Sequence, residues 1–301
     1  MYDAIIIGGG PAGMTAALYL LRAGKTACVI EKETYGGQIA KSPRLENFPS
    51  IASISGLEFS DHLMNQIMDL GAATEMDNIA KVEHDENGFK AIGEWGTYEG
   101  KTMVLACGCE HKTLHLPREE ELVGKGISYC ATCDGDFFAG EDVVVIGDAN
   151  TALQYAIQLS AKCTKVTIVT LFDKFFADKI LVDRIKENPK IEVFMEYSAI
   201  EYLGDKELKG VKFKHTKTGE ERVFNCSGCF ICIGQQPCNE PFEEFVELDR
   251  GFIVTDETMA TKTPGVYACG DCRKKGMRQV ITATSDAAIA AMSIVNYLNA
   301  K

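Results

Sequence analysis

Two cysteines separated by two residues, Cys130 and Cys133, are the side chains best suited to chemistry in this chain, and an acid, Asp134, follows them directly. Cysteines at this spacing can close a small disulfide ring, and the spacing lowers the thiol pKa of one of them. Asp134 can move the proton that thiol-disulfide exchange requires, because a thiolate attacks and the leaving sulfur is protonated. These three residues are therefore predicted to be catalytic.

Half of a zinc site is the alternative interpretation of the cysteine pair. A zinc site requires a second pair of Cys or His ligands at a suitable spacing. Cys226, Cys229 and Cys232 recur at three-residue steps in an apolar segment, which is typical of a buried strand in which cysteine acts as a small hydrophobe. We therefore predict a redox dithiol and no metal.

The beginning of the chain predicts a dinucleotide-binding unit. An apolar run over 3–7 leads into Gly8-Gly9-Gly10-Pro11-Ala12-Gly13, then a helical pattern to Arg22 and a second apolar run that ends at Glu31. In such a unit the first glycine makes the tight turn, the second lets a pyrophosphate approach the backbone, and the third lets helix and strand pack closely. The helix N-terminus then faces the phosphates, and Glu31 is placed to accept a hydrogen bond from an adenosine ribose.

Composition narrows the class of protein. The 301 residues suggest two domains, and the hydrophobic fraction of 46% is enough for real cores. The net charge of -12 argues against nucleic acid, whose phosphates require a basic face. We expect no membrane span, because no run of about 18 apolar residues occurs. The 12 cysteines, without a secretory signal, predict a reducing, cytoplasmic location.

A second unit of the same kind follows the dithiol. A strand over 141–146, the turn Gly147-Asp148-Ala149-Asn150-Thr151-Ala152, a helix over 153–161 and a strand over 165–169 repeat the spacing of the first unit. Further along, 208–215 and 221–225 form a hairpin pattern, and the last helix is predicted over 286–298. The chain is thus predicted to contain an internal duplication at the level of the fold.

Together these segments resemble the low-molecular-weight thioredoxin reductases over the whole chain. The resemblance is carried by Gly8-Gly9-Gly10-Pro11-Ala12-Gly13, Gly36-Gly37-Gln38, Glu46-Asn47-Phe48-Pro49, Cys130-Ala131-Thr132-Cys133-Asp134-Gly135, Gly270-Asp271 and Arg278-Gln279. It implies an α/β fold of two Rossmann-like, three-layer domains. A discontinuous FAD-binding domain would comprise 1–111 and 240–301, and an inserted pyridine-nucleotide-type domain, 112–239, would carry the dithiol.

The resemblance also implies the cofactor, the partners and the site residues. The cofactor would be FAD, the substrate thioredoxin, and the assembly a homodimer, with Cys133 facing the flavin and Cys130 attacking thioredoxin. The residues implied to hold the adenosine and pyrophosphate are Gly8, Gly10, Pro11, Ala12, Gly13 and Glu31. The residues implied to hold the ribityl chain and the flavin are Gln38, Asn47, Gly270, Asp271, Arg278 and Gln279. Their chemistry agrees, because Asp271 can accept from hydroxyls and Arg278 and Gln279 can donate to ring heteroatoms.

The second glycine-rich turn departs from the family. NADPH-using members carry Gly-x-Gly-x-x-Ala there, a His-Arg-Arg run at the end of the next strand, and another arginine soon after. In this chain Ala149 replaces the second glycine, the run is Thr170-Leu171-Phe172, and Phe176 stands at the later arginine. Arginines recognise the 2′-phosphate through bidentate charge-assisted bonds, which these apolar side chains cannot make.

An NAD site lacks its acid as well. Counted from the turn, Thr170 occupies the place that Glu31 has in the first unit. Two alternatives stay open: Asp173 lies nearby and can serve NAD, and another loop can supply the missing arginines.

The electron source is therefore predicted to differ. Some flavoproteins of this shape take electrons from reduced ferredoxin, and the chain is similar to them in the features that it lacks. Flavin accepts electrons singly and passes them on as a pair, so we predict ferredoxin as the donor. The basic run Arg273, Lys274, Lys275 and Arg278 is either a docking patch for an acidic ferredoxin or an ordinary solvated loop.

Two other functions remain open. One is the same reductase supplied by NADPH or NADH, and the other is a non-enzymatic flavin-bearing sensor whose dithiol state a partner detects. An intact dithiol beside Asp134 favours the enzyme, since a sensor has no need of the acid.

Overall fold

The computed structural model describes residues 1–42, 45 and 47–300, so Glu46 of the Glu46-Asn47-Phe48-Pro49 segment lies outside the described residues. The chain divides into two compact units: unit 1 is Met1–Glu110 together with the chain from Gln236 onward, and unit 2 is His111–Gln235. The second boundary therefore precedes the one expected from the sequence. Asn239 accounts for this, because its amide donates to the carbonyl oxygens of Gly251 and Cys272, both in unit 1.

Strands outnumber helices in the described part of the chain. The strands are β1 (Tyr2–Ile7), β2 (Ala27–Glu31), β3 (Ala73–Met76), β4 (Ile79–Asp85), β5 (Gly88–Gly93), β6 (Thr97–Leu105), β7 (Cys109–His111), β8 (Ile127–Ser128), β9 (Asp142–Ile146), β10 (Lys165–Thr170), β11 (Ile191–Met195), β12 (Tyr197–Leu203), β13 (Gly210–His215), β14 (Glu221–Asn225), β15 (Gly228–Ile231), β16 (Gln235–Pro237), β17 (Leu248–Asp249), β18 (Phe252–Ile253) and β19 (Val266–Ala268). The α-helices are α1 (Pro11–Arg22), α2 (Gly56–Asp69), α3 (Glu119–Leu122), α4 (Ala131–Asp134), α5 (Asn150–Ser160), α6 (Lys179–Glu187) and α7 (Val280–Asn299), and 3-10 helices cover Gly37–Lys41, Gly135–Phe138 and Glu240–Phe242.

Unit 1 is built on a parallel sheet. β3, β2, β1 and β6 lie side by side in that order, β19 adds to β6 in parallel, and β6, β5 and β4 continue as antiparallel neighbours. The side chains of β1 alternate between the two faces, as a strand requires. Ala4 and Ile6 pack in the cluster that contains α1, α2 and α7, whereas Ile5 and Ile7 pack in the cluster that contains β4 and β5. Unit 1 therefore has three layers.

Unit 2 repeats this plan. Its five strands lie in the order β11, β10, β9, β15 and β8, all parallel. One face packs on α5 and α6, and the other packs on the antiparallel sheet of β12, β13 and β14. Strands buried on both faces are apolar along their buried length, which is why β9 continues from the exposed Asp142 as Val143-Val144-Val145-Ile146. The predicted fold class, two Rossmann-like three-layer units with the second inserted into the first, is confirmed.

Two details differ from the sequence prediction. The last helix begins at Val280, six residues before Asp286, because Gln279 and Thr282 form a reciprocal capping box there. The predicted hairpin of β13 and β14 is present, but β12 joins it as a third strand. Among the described residues, no helix is both long and apolar enough to cross a membrane.

Candidate active site

The predicted dithiol is a disulfide in unit 2. Cys130 and Cys133 are bonded, with their Cα atoms 5.3 Å apart, a normal span for such a bridge. Cys130 precedes the single turn of α4, and its Sγ accepts a hydrogen bond of 3.1 Å from the N–H of Cys133. An N–H in this position can stabilise a thiolate on Cys130.

Asp134 lies at the end of this turn and is held by Ser128. The Ser128 hydroxyl, at the end of β8, donates to Asp134 Oδ2 over 2.7 Å and accepts from the N–H of Cys130 over 3.0 Å. Asp134 Oδ1 is buried and has no hydrogen-bond partner among the described residues. Burial raises the pKa of Asp134 above its usual value, and the hydrogen bond from Ser128 opposes that rise. A carboxyl of this kind holds a proton more readily than an exposed aspartate.

The three clustered cysteines of unit 2 are packing residues. Cys226 and Cys229 are buried beside or within β15, where Cys229 pairs in register with Val144. Within the described part of the chain, no group of three or more His, Cys, Asp or Glu side chains is arranged to hold a metal ion.

The first glycine-rich turn has the geometry that a dinucleotide requires. Gly8 has a φ of +109°, and a Cβ there would lie 2.3 Å from the Ala106 carbonyl oxygen. A Cβ on Gly13 would lie 1.8 Å from the Gly8 carbonyl oxygen, so helix and strand can touch only through glycine. Gly10 differs, because a Cβ there would meet only the Gly36 carbonyl oxygen, at 3.9 Å, among the described atoms. Gly10 therefore faces open space.

Helix α1 begins at this open space. Its first residue is Pro11, and among the described residues no side chain caps its N-terminus. The N–H groups of the first turn, at Ala12 and Gly13, are therefore left for a ligand.

Glu31 closes the other side of the turn. Its carboxylate is buried and accepts from the N–H groups of Gly9, at 2.6 Å, and Glu33, at 2.9 Å. Tyr35, which the sequence analysis did not single out, fixes the same region. Its hydroxyl lies 3.0 Å from the carbonyl oxygens of both Val29 and Glu75, which share its one proton, and its ring occupies the space that a side chain on Gly9 would need.

Gly270 and Asp271 join this turn from the end of β19. Gly270 has a φ of +81°, and a Cβ on it would lie 2.8 Å from the Cβ of Ala12, so glycine permits the close approach. Asp271 Oδ1 is buried without a hydrogen-bond partner among the described residues, although Lys275 Nζ lies 3.5 Å away. Burial raises the pKa of Asp271.

The remaining predicted residues of unit 1 lie on loops. Asn47 Nδ2 donates to Gln279 Oε1 over 2.9 Å, so two residues far apart in sequence are brought together. Arg278 donates to the Asp271 carbonyl oxygen, and its guanidinium lies 4.0 Å from the centre of the Phe252 ring. Gln38 is exposed on the 3-10 helix Gly37–Lys41.

The basic run is held by partners within unit 1, which leaves little of it as a free docking patch. Arg273 and Lys275 are largely buried and form ion pairs with Asp286, at 3.0 and 2.9 Å. Lys274 pairs with Asp249 at 2.6 Å, and Arg278 lies on the Phe252 ring. The cations neutralise acids of unit 1, above all Asp286. The sequence did not identify Asp286 as a partner, because the groups that contact it lie 11 to 16 residues away along the chain.

The second glycine-rich turn, in unit 2, keeps the backbone of the first. Gly147 has a φ of +152°, and its N–H donates to Val169 as that of Gly8 donates to Ile30. The side chains differ, however. Ala149 is exposed at the start of α5, and Asp148, also missed by the sequence analysis, places a carboxyl where the first turn has Gly9.

At the positions where NADPH-using members have arginines, the loop after β10 makes no charged contact with this turn among the described residues. Thr170 Oγ1 bonds only within its own loop, to Phe172, among the described residues. Leu171, Phe172 and Phe176 are 51%, 46% and 54% exposed. Other hydrogen bonds connect the loop to the turn. The Phe176 N–H donates to the Asp148 carbonyl oxygen, and the Asn150 side-chain amide both donates to the Asp178 carboxylate and accepts from the Asp178 N–H.

Two of the three arginines of unit 2 are engaged by other groups. Arg118 donates to Gly204, and Arg222 pairs with Glu220 and lies over Phe194. Arg184, on α6, lines a shallow groove with Asn188 and Pro189. Asp173 is exposed. The nearest cation of the loop, Lys174, lies 5.2 Å from the centre of the Phe176 ring.

Comparison with known proteins decides the family. Residues 2–287 match the family model described as pyridine nucleotide-disulphide oxidoreductase. The chain is 39% identical to a thioredoxin reductase of Bacillus subtilis, over 99% of this chain and 95% of the relative, and 38% identical to one of Listeria monocytogenes, over 99% and 94%. The crystal structure of thioredoxin reductase from Streptococcus pyogenes matches with a TM-score of 0.94 at 35% identity, covering 100% of this chain and 99% of that one. The chain belongs to the thioredoxin reductase family.

Thioredoxin reductases of this family are FAD flavoproteins, so the predicted cofactor is confirmed. The residues of unit 1 fit it. Gly10 faces open space beside the uncapped α1, and Asp271 offers a buried oxygen without a hydrogen-bond partner among the described residues, with Lys275 Nζ 3.5 Å away. The family assignment also makes the chain a disulfide oxidoreductase, which favours the enzyme over the sensor.

Proposed function

We propose that this thioredoxin reductase reduces thioredoxin through Cys130 and Cys133 and receives its electrons from reduced ferredoxin rather than from NADPH. The observation that carries the choice of donor is the loop after β10, where Leu171, Phe172 and Phe176 stand at the positions of the family's arginines. The relatives named above are called thioredoxin reductases without a stated donor, whereas the description of the matching family model names a pyridine nucleotide and so favours the NADPH-dependent alternative.

In the dithiol form, Cys130 is the attacking thiol. The N–H of Cys133 that points at Cys130 Sγ supports this role. Cys130 passes its thiol proton to Asp134, and the resulting thiolate bonds to one sulfur of the thioredoxin disulfide. That disulfide breaks, and its other sulfur leaves with the proton from Asp134. Cys133 then attacks Cys130, which restores the enzyme disulfide and releases the second thioredoxin sulfur. Two electrons, and the protons of the two enzyme thiols, end on thioredoxin.

FAD is held by the residues of unit 1. Ala12 and Gly13 donate backbone N–H groups to the pyrophosphate beside Gly8, Gly10 and Pro11, and Glu31 accepts from the ribose. At the other end, Asp271, which follows Gly270, accepts from ribityl hydroxyls, while Gln38, Asn47, Arg278 and Gln279 contact the flavin. When bound, FAD takes electrons singly and passes them on in pairs.

The second turn disfavours both nicotinamide nucleotides. A 2′-phosphate would meet two phenyl rings and a leucine, and Thr170 offers no carboxylate to a ribose. In addition, the Asp148 carboxylate lies in the turn that would have to face a pyrophosphate, where a like charge is repelled. Each missing charge-assisted bond is worth about 1.5–3 kcal/mol.

The test is steady-state reduction of thioredoxin, without oxygen, with reduced ferredoxin and separately with NADPH and NADH at millimolar concentration. We expect turnover with ferredoxin and no bleaching of the flavin by either nucleotide. Efficient turnover at micromolar NADPH would overturn the choice of donor. A Cys130→Ser variant, which should keep FAD and lose thioredoxin reduction, serves as the control for the dithiol.

An NADPH-dependent reductase is the second candidate, and Lys174 favours it. A lysine at the loop can contact a phosphate as a point charge, although without the bidentate geometry of arginine. The paired state of Arg273, Lys274 and Lys275 also removes the docking patch that had been suggested for ferredoxin. The variant Lys174→Gln separates the two candidates. An NADPH-dependent enzyme should lose thioredoxin reduction with NADPH, whereas a ferredoxin-dependent enzyme should keep thioredoxin reduction with ferredoxin.

We also propose that the protein is a homodimer in the cytoplasm. Unit 1 has an open apolar groove between α1, α2 and α7, lined by Tyr19, Phe59, Leu63, Ile281 and Ile289, and a second copy is its proposed occupant. Sedimentation analysis of the wild type and of Ile289→Glu tests this, with a dimer expected for the first and a monomer for the second.

A further inference from the structure

Ser128 occupies a position that the dithiol chemistry described so far does not use. It ends β8, pairs in register with Phe230 of β15, and is only 3% exposed. A buried serine must satisfy its hydroxyl. The hydroxyl could have bonded any nearby carbonyl, yet its shortest contact is to the Asp134 carboxylate.

The hydroxyl has one proton, and the distances show where it goes. Two acceptors lie in reach: Asp134 Oδ2 at 2.7 Å and the Cys130 carbonyl oxygen at 3.3 Å. The shorter, charge-assisted bond takes the proton. The oxygen of the same hydroxyl accepts from the N–H of Cys130 at 3.0 Å. One side chain thus connects the acid to the backbone of the attacking cysteine.

Few other groups hold this carboxyl. The N–H of Asp134 bonds the Cys130 carbonyl oxygen, and Asp134 Oδ1 has no partner among the described residues. The titratable group that faces Asp134 from α5 is Tyr155, whose pKa burial raises to about 12, and the others are the thiols of Cys130 and Cys133 on its own turn. Ser128 therefore has no substitute among the described side chains.

We propose that Ser128 is a positioning residue for thioredoxin reduction: its hydroxyl holds the Asp134 carboxyl in a fixed place relative to Cys130, so that the acid and the attacking sulfur act as one unit. The proposal rests on the proposed roles of Cys130 and Asp134. Ser128 itself neither gains nor loses a proton or an electron in the reaction, so the balance of the sulfur–sulfur exchange is unchanged.

The test uses the holoenzyme reduced with dithionite, freed of excess reductant and mixed without oxygen with oxidised thioredoxin. The donor is thereby bypassed, so that an error in the choice of ferredoxin does not affect the result. The rate is followed by alkylation of the new thioredoxin thiols, from pH 5 to 9. Because the reaction requires a Cys130 thiolate together with a protonated Asp134, the rate should rise as the thiol ionises and fall as Asp134 loses its proton.

Ser128→Ala should move this fall to higher pH by about one unit, since the lost hydrogen bond stabilised the carboxylate. The rate at the maximum of the profile should drop about tenfold, because the carboxyl is no longer fixed. On an Asp134→Asn background the same change should alter the rate less than about twofold, since a residue that acts through another loses its effect when that residue is gone. Ser160→Ala is the matched control. Ser160 is also buried with two hydrogen bonds, to Ile157 and Asn188, and its loss should not move the pH profile.

Three results would overturn the proposal: an unmoved pH profile in Ser128→Ala, an equal loss of rate with and without Asp134, or an Asp134→Asn variant with wild-type rates. The last result would also remove the proposed acid, whereas the first two leave it in place. If Ser128→Ala fails to fold or to retain FAD, Ser128→Thr carries the test. It keeps the hydroxyl and should follow the wild-type profile, and a displacement of a full pH unit would contradict the proposal.

Discussion

The two glycine-rich turns share a backbone and differ in nearly every side chain that could contact a nucleotide. In each, a parallel strand ends at a glycine of positive φ, Gly8 or Gly147, whose N–H donates to the neighbouring strand at Ile30 or Val169. A helix follows in each, and the next strand ends at Glu31 in unit 1 and at Thr170 in unit 2.

The differences all lie where a ligand would be. Gly9 and Gly10 of the first turn correspond to Asp148 and Ala149 of the second. Glu31 reaches back to the Gly9 N–H, whereas Thr170 bonds only within its own loop among the described residues. Backbone geometry is therefore retained by the packing of helix on strand, while binding depends on a few side chains that packing does not constrain. The position of a glycine-rich turn predicts the fold, and only its side chains predict the ligand.

Restoring the missing arginines should have the largest effect. Leu171→Arg, Phe172→Arg and Phe176→Arg, combined with Asp148→Gly, should strengthen NADPH binding at least about 100-fold, because two charge-assisted bonds contribute about 3–6 kcal/mol. All three loop positions are about half exposed, so the fold should tolerate the change. NADPH titration by calorimetry measures the effect.

The same positions changed to Gln provide the control, since they lengthen the side chains without charge. A gain that the glutamine variant shares would show that removing the aromatic rings, rather than adding charge, allows binding. Micromolar binding of NADPH by the wild type would contradict the inference that the second turn lacks the side chains that this nucleotide requires.

Filling the first turn should have the next largest effect. Gly10 has φ of -76° and ψ of -176°, which any residue can adopt, and its Cβ direction is open. Gly10→Val should therefore fold and bind FAD about 10- to 100-fold more weakly, because the added methyl groups occupy ligand space at a cost of about 1–3 kcal/mol. Fluorescence of released FAD measures the affinity.

Ala149→Val makes the matching change in the second turn, where the residue is exposed. FAD affinity should be unchanged in this variant. Equal losses in the two variants would mean that the loss comes from disturbed folding and not from an occupied site.

Glu31→Gln should weaken FAD binding about tenfold. The amide oxygen can still accept from Gly9, but the charge that strengthens a hydrogen bond to the ribose is lost, and about 1.4 kcal/mol corresponds to a factor of ten. Equilibrium dialysis of the apoprotein with FAD gives the value. Glu33→Gln, an exposed neighbour, should have no effect, and a loss as large there would remove Glu31 from the site.

The sequence was sufficient to predict the fold and the dithiol because both depend on local patterns. Strands such as β9 are apolar along their buried length, glycines punctuate the turns, and Cys130 and Cys133 are three residues apart. The network around Asp286 could not be found in this way. Arg273, Lys275 and Gly270 reach it across 11 to 16 residues, and only folding of the loop onto α7 brings them together.

The same limit applies to the basic run, whose partners the sequence does not reveal. Four cations within six positions look like a surface patch when their partners are unknown. Ser128 was missed although its partner is near in sequence. Asp134 is only six residues away, but no sequence pattern identifies the hydrogen-bond partner of a serine at the end of a strand.

The smallest expected effect concerns the flavin end of the cofactor. Asn47→Ala removes an exposed hydrogen bond of 2.9 Å to Gln279. Such a bond contributes about 0.5–1 kcal/mol, so FAD affinity should fall about twofold to fivefold. The contrast with Gly10→Val is the point of the measurement, because it ranks the phosphate turn above the flavin end as the source of affinity. Asn78→Ala is the control, since its amide makes an equally long exposed bond, to Glu94 in the same unit, and it should leave FAD binding unchanged. If Asn47→Ala lowered FAD affinity more than Gly10→Val, the flavin end would be the main source of affinity. The glycine-rich turn of unit 1 would then contribute little to binding, and its difference in sequence from the turn of unit 2 would have little functional consequence.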